Sequence, residues 1–436
     1  MIKMQGGVIM KVYDVAFLLL KRNKKNHFIY GLALLFSIVV CFIFIDFIDN
    51  PILIETDQVR GILDPQGFNL PLSKGLPFVI IVFTWSMILY ASQYYFKQKE
   101  QEYSLLIISG MNLVSHIKYA LCQIGLILGA VIPLSFIIGT LSLFLIKKLI
   151  YDYLDISHSI FNIRLSTYIT TMYALFMLVL VIIVVLIGTI HKTSILSLKK
   201  THQKHKHIKQ GSRISLVYVL IYIHCLCHFF MIKNDWIYYE INSIVGMLAA
   251  YGILKKCIGI LFNYLKKKCQ GKDTFICLSH FHLTLNSTSS LVFLMTIIVT
   301  GILPILALQN PLSNEYVTGI ISFLFIITLL LISIIYKLNI EMHDKVYEYV
   351  VLEKIGYTKK QLIQMIAKEN VIYYTLILCI PLPYLFSITY QYLMKYHISM
   401  TLLIVLFLFY VVAIIFSLLI TNKAYQNTFI TRRKIS

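Results

Sequence analysis

The densest group of chemically active side chains in this 436-residue chain is His224-Cys225-Leu226-Cys227-His228. On a helix, His224, Cys227 and His228 share a face, and imidazole with thiolate suits a soft divalent metal. A fourth ligand is not evident. The group also lies in an apolar run, where inward-turned polar side chains hydrogen-bond between helices. We therefore expect no metal here. His202, His205 and His207, set among Lys200, Lys204, Lys206 and Lys209, read as a basic loop against anionic headgroups, with a metal site as the lesser reading. Asp46, Asp49, Glu55, Asp57 and Asp64 follow the first apolar run and read as a solvated face; a cationic peptide is the competing partner. No Ser-His-Asp or paired-carboxylate arrangement suggests catalysis. No phosphate-binding G-x-x-x-x-G-K-[ST] loop occurs, since Gly271-Lys272 is followed by Asp273 and lacks the earlier glycine. The chain is expected to carry neither catalytic residues nor a cofactor of its own.

Two other stretches match each other. Glu102-Tyr103-Ser104-Leu105-Leu106 runs on to Gly110, and Glu348-Tyr349-Val350-Val351-Leu352 runs on to Gly356. Each glycine stands eight residues after its glutamate. Each stretch follows one long apolar run and precedes another that carries Ile-Pro-Leu, at Ile132-Pro133-Leu134 and Ile380-Pro381-Leu382. Repetition of the flanking order marks an internal repeat. On a helix, Glu102, Leu105, Leu106 and Ser109 lie along one side, as do Glu348, Val351, Leu352 and Ile355. Gly110 and Gly356 supply left-handed helix stops. Thr358-Lys359-Lys360-Gln361 fits a capping box that starts the next helix. The expected product is a short amphipathic helix across one membrane face, then a sharp turn into a span. Such a helix suits docking of a partner or anchoring in headgroups equally.

These elements sit in a chain that is 58% hydrophobic and 13% charged, where a soluble domain is nearer 25% charged. Apolar runs of ~20 residues cross ~30 Å of hydrocarbon as helices. Ten are predicted, at about His27–Ile48, Phe78–Tyr95, Lys118–Leu145, Tyr168–Ile190, Ile214–Ile232, Tyr239–Leu261, Ser290–Leu308, Val317–Tyr336, Val371–Tyr390 and Met400–Ile420. The fold class is thus an all-α polytopic membrane protein. With both termini cytoplasmic, 32 Lys and Arg fall on inner segments and 7 on outer loops, which accounts for all 39. The +20 formal charge is mostly this positive-inside asymmetry, with membrane lipids as a partner and nucleic acid unsupported. The first run is too long for a signal-peptide core and lacks a small-residue cleavage site. The eight cysteines show no regular spacing and read as reduced thiols. Four blocks follow: residues 1–76, basic with the first span and outer loop; 77–213, spans two to four and a basic loop; 214–316, spans five to seven; and 317–436, spans eight to ten. Pro133, Pro304 and Pro381 are expected to kink their spans.

The repeated E-Y-x-x-L/V-x-x-x-x-G pattern, so framed, resembles the FtsX-like permeases of ABC transporters. Within that superfamily it is most similar to the ten-span permeases of the bacitracin and lantibiotic resistance branch. Lys21-Arg22-Asn23-Lys24-Lys25-Asn26-His27 before span one, Leu89-Tyr90-Ala91-Ser92 descending to Glu102-Tyr103, and Glu348 through Lys360-Gln361-Leu362-Ile363 carry that likeness. The resemblance implies two FtsX-like units around a middle block, in a bacterial plasma membrane. It implies two copies of a cognate ABC ATP-binding protein holding ATP and Mg²⁺. Those copies would dock on Glu102, Tyr103, Leu105, Leu106 and Gly110 and on Glu348, Tyr349, Val351, Leu352 and Gly356. It further implies work on an antimicrobial peptide or lipid-linked substrate, with a sensor histidine kinase as a further partner. The chain departs from the branch between spans seven and eight, where about Gln309–Tyr316 replaces a large outer domain.

Overall fold

The computed structural model describes residues 2–3, 9–10, 24–50, 72–108, 111–155, 157–198, 212–231, 236–257, 260, 264, 268, 274–279, 281, 284–285, 288–289, 291–294, 314–387, 390 and 400–433. Gly110, Pro304, most of predicted span seven, most of the interval 309–316 and the histidine-rich loop at 202–207 fall outside them.

The chain is helical almost throughout the described residues, apart from a small antiparallel ribbon of β1 (Ile2–Lys3) and β2 (Ile9–Met10). The helices are α1 (Lys24–Asp49), α2 (Leu72–Ile108), α3 (Leu113–Tyr153), α4 (Leu165–Leu198), α5 (Ser212–Met231), α6 (Trp236–Gly252), α7 (Asn314–Lys354), α8 (Lys359–Cys379) and α9 (Met400–Arg433). A π turn at Ile253–Cys257 extends α6. Among the described residues, six helices are long and apolar enough to cross a membrane: His27–Asp49, Val114–Tyr153, Leu165–Gly188, Tyr316–Leu338, Lys359–Ser387 and Thr401–Gln426. Pro77–Gln93 and Leu216–His228 are shorter apolar helices. The protein is a multi-pass, all-α membrane protein, because only helices or a closed barrel satisfy backbone groups in lipid. These eight segments fall on predicted spans one to five and eight to ten, and α6 falls on predicted span six.

Pro133 sits inside α3 without ending it. At Pro381 the helix gives way to a turn, and helix resumes over 382–387.

The chain forms two compact units, residues 1–206 with 311–322 and residues 207–310 with 323–436. In the first, α1 is the enclosed element, packed on α2, α3 and α4. Tyr30 of α1 stacks on Tyr95 of α2 with ring centroids 4.4 Å apart. The Tyr30 hydroxyl donates to Ser92 Oγ at 2.9 Å, because the Ser92 proton is already given to the Ile88 carbonyl. Phe42 packs on Phe136 and Tyr168. Gly139 lets α3 close on α1, since a Cβ there would stand 2.9 Å from the Phe42 ring. The ends of α1, α3 and α4 are tied by polar groups: Lys147 Nζ pairs with Asp46 at 2.8 Å, Asn50 donates to the Tyr151 hydroxyl, and Thr167 donates to Asp49.

In the second unit, α5 and α6 form an antiparallel pair. Asn242 donates to the Cys225 carbonyl at 2.8 Å, and Gly246 and Gly252 leave room for the rings of Tyr384 and Tyr218. α8 packs on α9 through Tyr374 to Thr421 at 2.8 Å, Asn370 to Asn422 at 2.6 Å, and Tyr410 to the Ile377 carbonyl at 3.1 Å.

Candidate functional site

The two Glu-Tyr stretches are not separate interfacial helices. Glu102-Tyr103 lies in the last turns of α2, a continuous helix of 37 residues, and Glu348-Tyr349 lies in those of α7, which has 41. This corrects the expected short helix set apart from its span. The reason is local: neither glycine nor proline separates span from stretch, and Lys97-Gln98-Lys99-Glu100-Gln101 consists of good helix formers. At 1.5 Å per residue, α2 runs ~22 Å past Gln93, and α7 runs ~24 Å past Leu338.

Both helices end on the same outer hydrogen bond. At the second copy, Gly356 adopts φ +114°. The Tyr357 amide donates to the Leu352 carbonyl at 3.1 Å, and the Gly356 amide to the Glu353 carbonyl at 3.0 Å. That pair of bonds is a Schellman stop, which uses carbonyls the helix end would leave bare. At the first copy, the Met111 amide donates to the Leu106 carbonyl at 3.1 Å, the equivalent outer bond. A cap follows at once in each. Asn112 Oδ1 accepts from the Ser115 amide at 2.9 Å and starts α3. Thr358 and Gln361 form the reciprocal capping box that starts α8. A constant offset of 246 residues carries Glu102 to Glu348, Tyr103 to Tyr349, Leu106 to Leu352, Gly110 to Gly356 and Asn112 to Thr358. The same corner is built twice.

Burial divides each stretch into two faces. Tyr103 and Leu106 turn into the first unit and Tyr349 into the second, whereas Leu105 is 67% exposed and Ile355 71%. Glu348 and Val351 are exposed; Glu102 and Leu352 are half-buried. Each corner thus offers an apolar and acidic outer face, backed by a tyrosine locked inward.

The tyrosines meet different neighbours. The Tyr349 hydroxyl donates to Glu369 Oε2 at 3.0 Å, and Thr284 donates to Glu369 Oε1 at 3.1 Å. Burial, then the nearby Glu369 carboxylate, raise the Tyr349 phenol well above its ordinary range, so it stays the proton donor. In the first unit, Tyr103 packs edge-on against His116 and Tyr119, at centroid distances of 4.8 and 6.5 Å. Burial raises the Tyr103 phenol as well. Its hydroxyl has no hydrogen-bond partner among the described residues, nor do Gln123 Oε1 and the two ring nitrogens of His116. A buried orphan polar atom costs ~1–3 kcal/mol. Just before Tyr103, Lys99 pairs with Glu102 and lies over the Tyr95 ring, 6.0 Å from its centroid. Burial lowers the Lys99 pKa against the opposing pull of Glu102.

Lys99, Gln123 and Glu369 are functional candidates that the sequence pattern passes over. The signal that finds Gln123 and Glu369 is the 246-residue offset itself, carried past the glycine into the next helix. At the His-Cys cluster, the His224 and His228 rings lie 5.6 Å apart and Cys227 is exposed. Among the described residues no three His, Cys, Asp or Glu side chains converge as a metal site.

No curated protein matches the chain. Residues 320–426, from α7 through α8 to α9 and including the second corner, match the family model described as the FtsX-like permease C-terminal.

Proposed function

We propose that the chain is the membrane-spanning permease subunit of an ABC transporter, with the two corners as docking points for a separate ATP-binding protein. The observation that carries this reading is the FtsX-like match over 320–426, together with an equivalent corner at the matching place in the first half. In the proposal, one ATP-binding subunit sits at each corner, two in all, and those subunits hold ATP and Mg²⁺. Glu102, Leu105, Glu348, Val351, Leu352 and Ile355 meet them. Tyr103, Leu106 and Tyr349 pass the push inward, and Gly110 and Gly356 set the turns. Both corners and both termini face the cytoplasm, as the basic-residue asymmetry supports. The blocks 77–213 and 317–436 are the two halves that carry the corners, with 1–76 and 214–316 completing the bundle.

The short interval between predicted spans seven and eight leaves no room for a peptide-capturing outer domain. That favours a lipid-linked substrate taken within the bilayer over a captured antimicrobial peptide. A relay that regulates a cell-wall enzyme or a sensor histidine kinase uses the same corners and differs in moving no substrate.

The test is retention. A tagged full-length chain, purified in mild detergent, is expected to keep a Walker-motif ATP-binding protein bound. Leu105→Asp with Ile355→Asp is expected to release it while the chain still inserts. Unchanged retention would end the docking proposal.

A further inference from the structure

Carried into the helices beyond the corners, the 246-residue offset brings together three more pairs: His116 with Leu362, Tyr119 with Met365, and Gln123 with Glu369. The first member of each stands on α3 and the second on α8. Each lies one or more turns beyond the capping residue; His116 and Tyr119 pack against Tyr103, and Glu369 bonds Tyr349. In the second half that tyrosine is joined to the next span by a hydrogen bond, from the Tyr349 hydroxyl to Glu369 at 3.0 Å. In the first half, both groups that would make the equivalent bond are buried and unjoined. The Tyr103 hydroxyl and Gln123 Oε1 have no partner among the described residues, and each side chain is at most 1% exposed.

The intervening position explains the difference. Gln123 Nε2 donates to the Tyr119 hydroxyl at 2.7 Å, which holds the amide along α3. Tyr103 rests edge-on against His116 instead. In the second half, Met365 and Leu362 stand at those places and offer neither a hydroxyl nor an imidazole. Glu369 there accepts from Tyr349 and Thr284.

We propose that Gln123 and Glu369 are positioning residues that couple each Glu-Tyr helix end to the following span, and that the two couplings differ in kind. The second is closed through a carboxylate and holds its corner fixed. The first is an amide link that stands open here and closes when Gln123 leaves Tyr119 for Tyr103. The Tyr103 hydroxyl and Gln123 Oε1 suit each other as donor and acceptor, and an arrangement in which they meet satisfies both. The working motion of the bundle then begins at the first corner, and the second serves as the fixed one. This deepens the permease reading and rests on it for its meaning. The links themselves are properties of the chain alone.

Backbone amide exchange on the full-length chain in lipid nanodiscs, without any ATP-binding protein, tests the links. Loss of a buried bond to a carboxylate accelerates local opening about tenfold or more. Tyr349→Phe is therefore expected to speed exchange over 350–357 by that factor. Tyr103→Phe, which removes a hydroxyl that bonds to nothing, is expected to leave exchange over 104–111 unchanged. Tyr119→Phe frees the Gln123 amide, and Gln123→Glu supplies the second half's chemistry; each is expected to slow exchange over 104–111. If Tyr349→Phe fails to insert, the two first-half variants still decide the matter. Equal effects of Tyr103→Phe and Tyr349→Phe, or no slowing with either Tyr119→Phe or Gln123→Glu, overturn the proposal. Because no partner is present, that failure is distinct from loss of ATPase retention.

Discussion

Gly356 shows how little is needed to fix a corner. At φ +114° its backbone lies where an L side chain is strained, yet a Cβ there would meet nothing within 4 Å. The whole cost of Gly356→Ala is therefore conformational, and it is expected to lower stability by ~1 kcal/mol. Gly125, inside α3, is the contrasting case, again with nothing within 4 Å of a built Cβ. There the helix itself favours alanine, and Gly125→Ala is expected to stabilise by ~0.5–1 kcal/mol. Thermal unfolding in detergent should show shifts of opposite sign for the two variants. Two shifts of the same sign would mean that Gly356 does not stop the helix.

At the scale of elements, the corners are legible in the sequence because their parts are local. A glycine after an amphipathic stretch, then Asn112 or a Thr358-to-Gln361 box, is a stop followed by a start. The inner and outer faces are less legible. The stripe of Leu105, Leu106, Val351 and Leu352 reads as one docking face, but long-range packing takes Leu106 inward and leaves Leu105 out. Adjacent leucines look alike until the neighbouring helices are placed. The continuity of α2 and α7 is also hidden, since no residue type announces that a helix simply carries on. The clamp on α1, α3 and α4 is a third case, because Asp46 and Lys147 are about a hundred residues apart and each reads alone as an outer-edge charge. Both are nearly fully buried. Asp46→Asn leaves a buried ammonium unpaired and is expected to destabilise the first unit by ~3–5 kcal/mol. Asp46→Leu combined with Lys147→Met should recover most of that loss, because replacing both partners removes the unpaired charge. A double substitution as harmful as the single one would show that the pair matters for more than charge balance.

For the whole molecule, the apolar runs and sparse charge announce a helical membrane protein, and the structure carries one. The pairing of two corners places a further demand on the arrangement. In the proposed docking, both lie on one side of the bilayer to meet one kind of partner. Glu102→Cys and Glu348→Cys, each introduced singly into a chain cleared of its native thiols, are expected to react with a membrane-impermeant maleimide in inverted vesicles and to resist it in intact cells. Opposite labelling of the two sites would break the symmetry on which two-point docking depends.

The overhang of α2 and α7 has a mechanical consequence. A straight rod with ~22 Å outside the hydrocarbon and ~30 Å within it has arms of similar length about the bilayer surface. Displacing its tip sideways swings its far end the opposite way by a comparable distance, provided the rod does not bend. Because neither helix is broken between its apolar segment and its tip, a shove at the tip is carried into the membrane without any intermediary. The amplitude is then set by how firmly each rod is gripped where it enters the lipid.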